Sequence, residues 1–244
     1  MQLLVSVKNA EEALLALAAG ADIIDLKDPN VGALGALDMP ISLAILAAIN
    51  SHAFNQTIST TVGENHTNLN KLIAAIQQRA TMGKVIIKIA VSALFYGATF
   101  LVEMRKLTEA GVKIVAVFFA DERVDLTLLP MFKRAGFYGA MLDTKYKSNN
   151  LLQVQTKDDL YLFTHFCHQH HLKSGLAGSL QAQHIVALTA FNATYIGFRG
   201  GVCDNFERKS DLSDTKIFKV KKLLLLHNKV NAKPPITLPL ALHS

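Results

Sequence analysis

Eight times along the chain a short β-branched or apolar run is followed by a longer segment whose apolar residues recur at helical spacing. The runs fall near residues 2–6, 22–27, 57–62, 84–91, 112–119, 138–143, 172–177 and 194–199. The helical segments fall near 9–20, 39–50, 67–80, 98–110, 127–136, 156–171, 181–190 and 211–228. Runs this apolar suit parallel strands covered on both faces, and parallel neighbours need a crossover between them, which the helices supply. Eight such units predict an α/β fold, a single (β/α)8 TIM barrel. A doubly wound open sheet would place a glycine-rich phosphate fingerprint after the first strand, where this chain has Ser6-Val7-Lys8-Asn9 without a glycine. Glycines at 20, 111 and 136 each follow a helical segment and precede a strand, as left-handed C-caps do. The barrel is expected to be one catalytic domain over 1–228. Pro234, Pro235 and Pro239 mark 229–244 as an irregular C-terminal extension.

The chain's 244 residues, half of them hydrophobic, are enough to bury one such core without cross-links. Two cysteines, Cys167 and Cys203, are too few for a disulfide framework and fit a reducing compartment. Met1 leads directly into the strand-like run from Leu3 to Val7, so no secretory leader is expected, and no apolar stretch reaches the roughly 18–20 residues of a membrane span. A cytoplasmic protein is expected, with neither a membrane nor a nucleic acid as partner. The net charge of +6 collects in the C-terminal part, from Arg208 through Lys219, Lys221 and Lys222 to Lys233, which reads as a solvated helix face. It lacks the interleaved aromatics of single-strand binders.

In barrels of this kind the reactive groups stand at the C-terminal ends of the strands. The second strand ends Ile24-Asp25-Leu26-Lys27, and alternation puts Asp25 and Lys27 on one face. The fourth carries Lys88 inside the run from Val85 to Ile89. The sixth ends at Asp143 and is followed by Lys145 and Lys147. A lysine in an apolar strand is costly unless it faces a polar cavity, pairs with an acid or loses its proton. Lys88 therefore either pairs with Asp25 or Asp143 to complete the barrel interior, or joins other lysines in a site. Convergent cations and desolvation depress an amine's pKa and make it a nucleophile for carbonyls, with Asp25 and Asp143 able to move protons. The last two strands lead into Gly178-Ser179 and Arg199-Gly200-Gly201, whose amides and guanidinium suit a phosphate. His165, His168, His170 and His171 have no acid or thiol partner at metal-binding spacing, Cys203 reads as a packing residue, and neither metal nor redox cofactor is expected.

Ala19-Gly20-Ala21-Asp22 through Asp28-Pro29, Gly32-Ala33-Leu34-Gly35, Thr61-Val62-Gly63, Ala140 to Thr144, Leu176 to Ser179 and Gly197 to Gly200 resemble the (5-formylfuran-3-yl)methyl phosphate synthase family of methanofuran biosynthesis, also called 4-(hydroxymethyl)-2-furancarboxaldehyde-phosphate synthase. The resemblance extends to about residue 228. It implies a TIM-barrel lyase joining two molecules of glyceraldehyde 3-phosphate with loss of phosphate and water. It also implies a Schiff-base role for Lys27, an acid/base role for Asp143, and Lys88, Lys147 and Asp25 alongside. Where the family has an Asp-Gly-Lys turn, this chain has Lys145-Tyr146-Lys147-Ser148, so Lys145 rivals Lys147. A class I aldolase acting on a small sugar phosphate, or a catalytically silent phosphate-binding barrel, are the alternatives. Association into a homo-oligomer through outer helices is expected of such a barrel.

Overall fold

The computed structural model describes residues 1–52, 56–92 and 97–231. Its strands are β1 Gln2–Val7, β2 Ile23–Leu26, β3 Thr57–Thr61, β4 Val85–Ala90, β5 Lys113–Phe119, β6 Gly139–Asp143, β7 Lys173–Leu176 and β8 Tyr195–Phe198. All pair in parallel in chain order, and β8 closes on β1. Helices α1 Ala10–Ala18, α2 Met39–Ser51, α3 Leu69–Ala80, α4 Ala98–Glu109, α5 Leu128–Arg134, α6 Leu151–Val154, α7 Lys157–Gln169, α8 Ile185–Thr189 and α9 Asp214–Asn231 lie between and after them. This is the (β/α)8 barrel that the sequence predicts.

Period-two alternation divides the core into two layers. Leu3, Val5, Ile24, Leu26, Ile87 and Ile89 pack outward against the helices. Leu4, Ile23, Ile86, Val115, Met141 and Tyr195 pack inward and fill the lumen. The lumen accommodates the Tyr195 ring because β7 has Gly175 opposite, where a Cβ would overlap that ring. Under the helices, Phe132 and Phe137 stack at 4.7 Å, with Phe118 and Phe163 nearby. Each buried phenylalanine contributes about 1.5–3 kcal/mol. Gly20, Gly111 and Gly136 take positive φ at the helix ends, which lets the chain turn into the following strand.

The structure departs from the sequence reading at three helices. The segment expected over 156–171 is preceded by a separate turn of helix, α6, because two capping boxes follow one another. Asn150 caps Leu152 while Gln153 reaches back to the Asn150 amide, and Thr156 and Asp159 do the same for α7. The segment expected over 181–190 divides into a 3₁₀ turn, Ala182–His184, and the short α8. The last helix starts at Asp214 rather than 211 and continues to Asn231, so 229–231, assigned to the irregular extension, are helical backbone. Residues 232–244, the rest of that extension, lie outside the described residues. Among the described residues no helix is long and apolar enough to cross a membrane.

Candidate active site

The strands that fill the lower lumen with apolar side chains switch to charged and hydroxyl side chains near their C-terminal ends. Ser6 on β1, Asp25 on β2 and Ser59 on β3 stand side by side in the sheet register, which sets them at one level of the lumen. Asp25 is fully buried and accepts from Ser6 Oγ at 2.9 Å, Ser59 Oγ at 2.7 Å and Lys88 Nζ at 2.7 Å. Burial alone would raise the Asp25 pKa, but the Lys88 and Lys27 cations hold it below the ordinary carboxylate value. The ion pair open to Lys88 from sequence is thus formed with Asp25, and Lys88 also lines the cavity above it.

Lys27 follows directly on β2, its amide bonded to the Val7 carbonyl at 3.1 Å. Its Nζ stands 3.9 Å from Asp143 Oδ2, while Asp143 Oδ1 accepts from Lys147 Nζ and from the Thr144 amide, both at 2.8 Å. The Lys27 side chain is buried, and desolvation lowers its pKa to about 8. The positive charges of Lys88 and Lys147 push the same way, against Asp143 and Asp25. At pH 7 roughly a tenth of the amine is neutral, far more than of an ordinary lysine. Asp143 would be raised by its burial, yet Lys147 and Lys27 hold it below the usual range, so it stands ionised beside a nucleophilic amine.

A cavity of about 350 Å³ opens above this cluster, and Lys27, Asp25, Lys88, Asp143, Lys147, Gly178, Ser179, Arg199, Gly200 and Gly201 all line it. Of Lys145 and Lys147, it is Lys147 that meets Asp143 and lines the cavity. The Lys145 ammonium turns outward to Glu122 at 2.7 Å, and its backbone amide, with that of Tyr146, is held by Asp121.

On the rim, Gly178 has φ +115°, and a Cβ there would press on the Thr144 backbone nitrogen. Gly178 and Ser179 lie beyond β7, and Gly200 and Gly201 open a 3₁₀ turn beyond β8. Among the described residues, their backbone N–H groups meet no protein acceptor. They make a neutral cradle suited to an anion.

Arg199 requires a correction. Sequence reasoning gave its guanidinium to a phosphate, but every donor is engaged within the protein. Nε bonds the Arg208 carbonyl at 2.8 Å, Nη1 bonds Ser6 O and Glu12, and Nη2 bonds Glu12 and the Ser210 carbonyl. Arg199 is therefore the clamp of the loop following β8. The guanidinium at the cavity that retains free donors belongs to Arg208, which sequence reasoning assigned to a basic helix face. Ser6 and Ser59 were also missed, although each is a hydroxyl at an inward-facing position of its strand, a signal that alternation could have supplied.

The family model for 4-HFC-P synthase matches residues 3–221 of this chain. A (5-formylfuran-3-yl)methyl phosphate synthase from Methanocaldococcus jannaschii is 33% identical over 92% of this chain and 99% of its own length. One from Methanosarcina acetivorans is 31% identical over 85% and 93%. A Methylorubrum extorquens protein provisionally given the same name is 38% identical over 88% of each chain. Among solved structures, 3-hexulose-6-phosphate synthase from Salmonella typhimurium superposes with a TM-score of 0.63 at 14% identity, covering 93% of this chain and all of that one. At that identity the likeness carries the barrel fold alone.

Proposed function

Because this chain belongs to the 4-HFC-P synthase family, we propose that it joins two molecules of glyceraldehyde 3-phosphate through an imine on Lys27, losing inorganic phosphate and water, to make (5-formylfuran-3-yl)methyl phosphate for a methanofuran-type cofactor. In this reading the enzyme is a carbon–oxygen lyase. The observation that carries it is the buried Lys27 amine, lowered to about 8 and set 3.9 Å from an ionised Asp143. The neutral amine attacks the triose carbonyl, and Asp143 moves the protons that let the carbinolamine oxygen leave as water. The iminium then acidifies the adjacent carbon. Asp143 takes that proton, and the enamine expels inorganic phosphate from the next carbon. That carbon, now the terminal carbon of the enol formed, attacks the ketone carbonyl of the second triose after its isomerisation. Closure of the ring by that triose's hydroxyl, loss of two waters and hydrolysis of the imine leave the furan phosphate and free Lys27. Lys147, bonded to the other oxygen of Asp143, stabilises negative charge on the departing phosphate or the developing alkoxide. Lys88 and Asp25 hold a charge pair below Lys27 that helps set its pKa.

The test is to incubate the purified protein with glyceraldehyde 3-phosphate, wild type beside Lys27→Ala, and follow ultraviolet absorbance and product mass. A furan phosphate is expected from the wild type alone, with borohydride trapping the triose on Lys27. A linear sugar phosphate in its place would make the protein an aldolase. Ligand binding without turnover would make it a silent barrel.

A further inference from the structure

The proposed reaction places two phosphorylated trioses in one cavity, so it requires two places for a phosphate. The inference that follows rests on that reading. The amides of Gly178, Ser179, Gly200 and Gly201 form one place, on the β7–β8 side of the mouth. The side chain of Arg208 leads away from it, past β1 to the β2 side. It starts beside Gly200, where a Cβ would come within 3.6 Å of the Arg208 Cβ. Its Nη2 reaches the carbonyl of Gly32, in the loop after β2, at 2.7 Å. The half-buried guanidinium therefore spans the sector of the mouth above β1, from the loop after β8 to the strand from which Lys27 emerges. Its Nε and Nη1 groups find no protein acceptor among the described residues.

Both ends of this span are fixed. At its root, the fully engaged Arg199 binds the Arg208 and Ser210 carbonyls and is itself anchored by the buried Glu12. At its tip, the loop after β2 is held by Glu64 Oε1, which accepts the Ala33 amide at 3.0 Å, and by Thr61 Oγ1, which donates to the Gly35 carbonyl at 2.7 Å. Ala33 and Leu34 are buried against the lumen core, so the Gly32 carbonyl is a fixed stop. An arginine held at both ends, with unused donors along a polar cavity, is preorganised for a forked contact to an oxyanion. We infer that Arg208 is the anion-binding residue of a second phosphate subsite, on the β2 side of the mouth, for the phosphomonoester of a small carbonyl compound. Arg199 is its positioning residue.

Calorimetric titration of the full chain with inorganic phosphate at low ionic strength tests this without relying on turnover. The wild type is expected to bind two phosphates per chain. Arg208→Ala should bind one, with its affinity within about twofold of the corresponding wild-type site. If Arg208 only latched two loops together, the count would remain two, and that result overturns the inference, as does a wild type that binds a single phosphate. Should Arg208→Ala fail to fold, Arg208→Lys, which keeps the charge but not the fork, is expected to weaken one phosphate about tenfold or more and spare the other. Unchanged affinity at both sites would then overturn it. A protein that makes no furan, yet falls from two phosphates to one in Arg208→Ala, would lose the proposed reaction and keep the subsite.

Discussion

The lumen cluster and the rim loops handle charge in opposite ways. In the lumen, Asp25, Lys27, Lys88 and Asp143 are formal charges on rigid strands or directly after them, shielded from water, and their mutual fields shift the protonation of Asp25, Lys27 and Asp143. On the rim, Gly178, Ser179, Gly200 and Gly201 offer neutral amides, and Arg199 is spent on holding a loop. Burial makes the first arrangement strong and costly. Neutral amides on loops make the second weaker per contact and adaptable. In the proposed reaction, chemistry that needs a shifted amine would lie on the strands and recognition of an anion in the loops, which can change without disturbing the barrel.

Lys88→Met should sharpen this contrast most. Removing one partner of a buried ion pair leaves Asp25 uncompensated, and a loss of about 3–5 kcal/mol is expected in denaturant unfolding. Adding Asp25→Asn should recover much of that stability and, by removing the opposing carboxylate as well, bring the Lys27 pKa most of the way back. In Lys88→Met the like charge is gone and the Asp25 carboxylate remains. The Lys27 pKa therefore rises, and the limb of the pH–rate profile set by the neutral amine should move from about pH 8 to higher pH. A limb that did not move would mean that Lys88 is structural only.

Lys27→Met should instead stabilise the protein at pH 7 while abolishing imine formation. A lysine whose folded pKa lies below its unfolded value binds fewer protons folded than unfolded between about pH 8 and 10.5, so wild-type stability rises with pH through that window. Below it the wild type bears the full cost of the buried charge. The gain in the variant is expected to be about 1–3 kcal/mol at pH 7 and to shrink towards pH 10, as measured by chemical denaturation.

On the rim, Gly178→Ala combines a left-handed backbone with a Cβ pressed on Thr144, and should cost about 1–3 kcal/mol. The concurrent effect should be a rise in KM rather than a fall in kcat, because the cradle binds and does not react. The smallest effect belongs to Lys145→Ala. Its ammonium faces Glu122 at the surface, so steady-state activity should remain within about twofold of wild type. A large loss there would reopen the choice between Lys145 and Lys147.

The alternation of runs and helices carried the whole barrel because each βα unit is a local pattern. Period two in the strands likewise told which face Asp25 and Lys27 share. What failed was local in another sense. The split of one helix into α6 and α7 was written in Asn150-Leu151-Leu152-Gln153 and Thr156-Lys157-Asp158-Asp159, two capping signals that the stronger apolar pattern masked. Arg199 and Arg208 were misassigned for a different reason. A guanidinium's role depends on which acceptors surround it, and those of Arg199 come from Glu12 and Ser6, nearly the length of the chain away.

By itself the sequence determined the eight-stranded barrel, the strand ends that hold the lysines and aspartates, and the glycine loops, because periodicity and turn chemistry act between near neighbours. Only the tertiary structure decided that Lys88 pairs with Asp25, that Lys147 rather than Lys145 meets Asp143, and that Arg208 rather than Arg199 retains free donors at the cavity. These are contests among charges for partners distant in the chain or across a turn. Closure of the barrel, which sets the distances and removes the water, decides them.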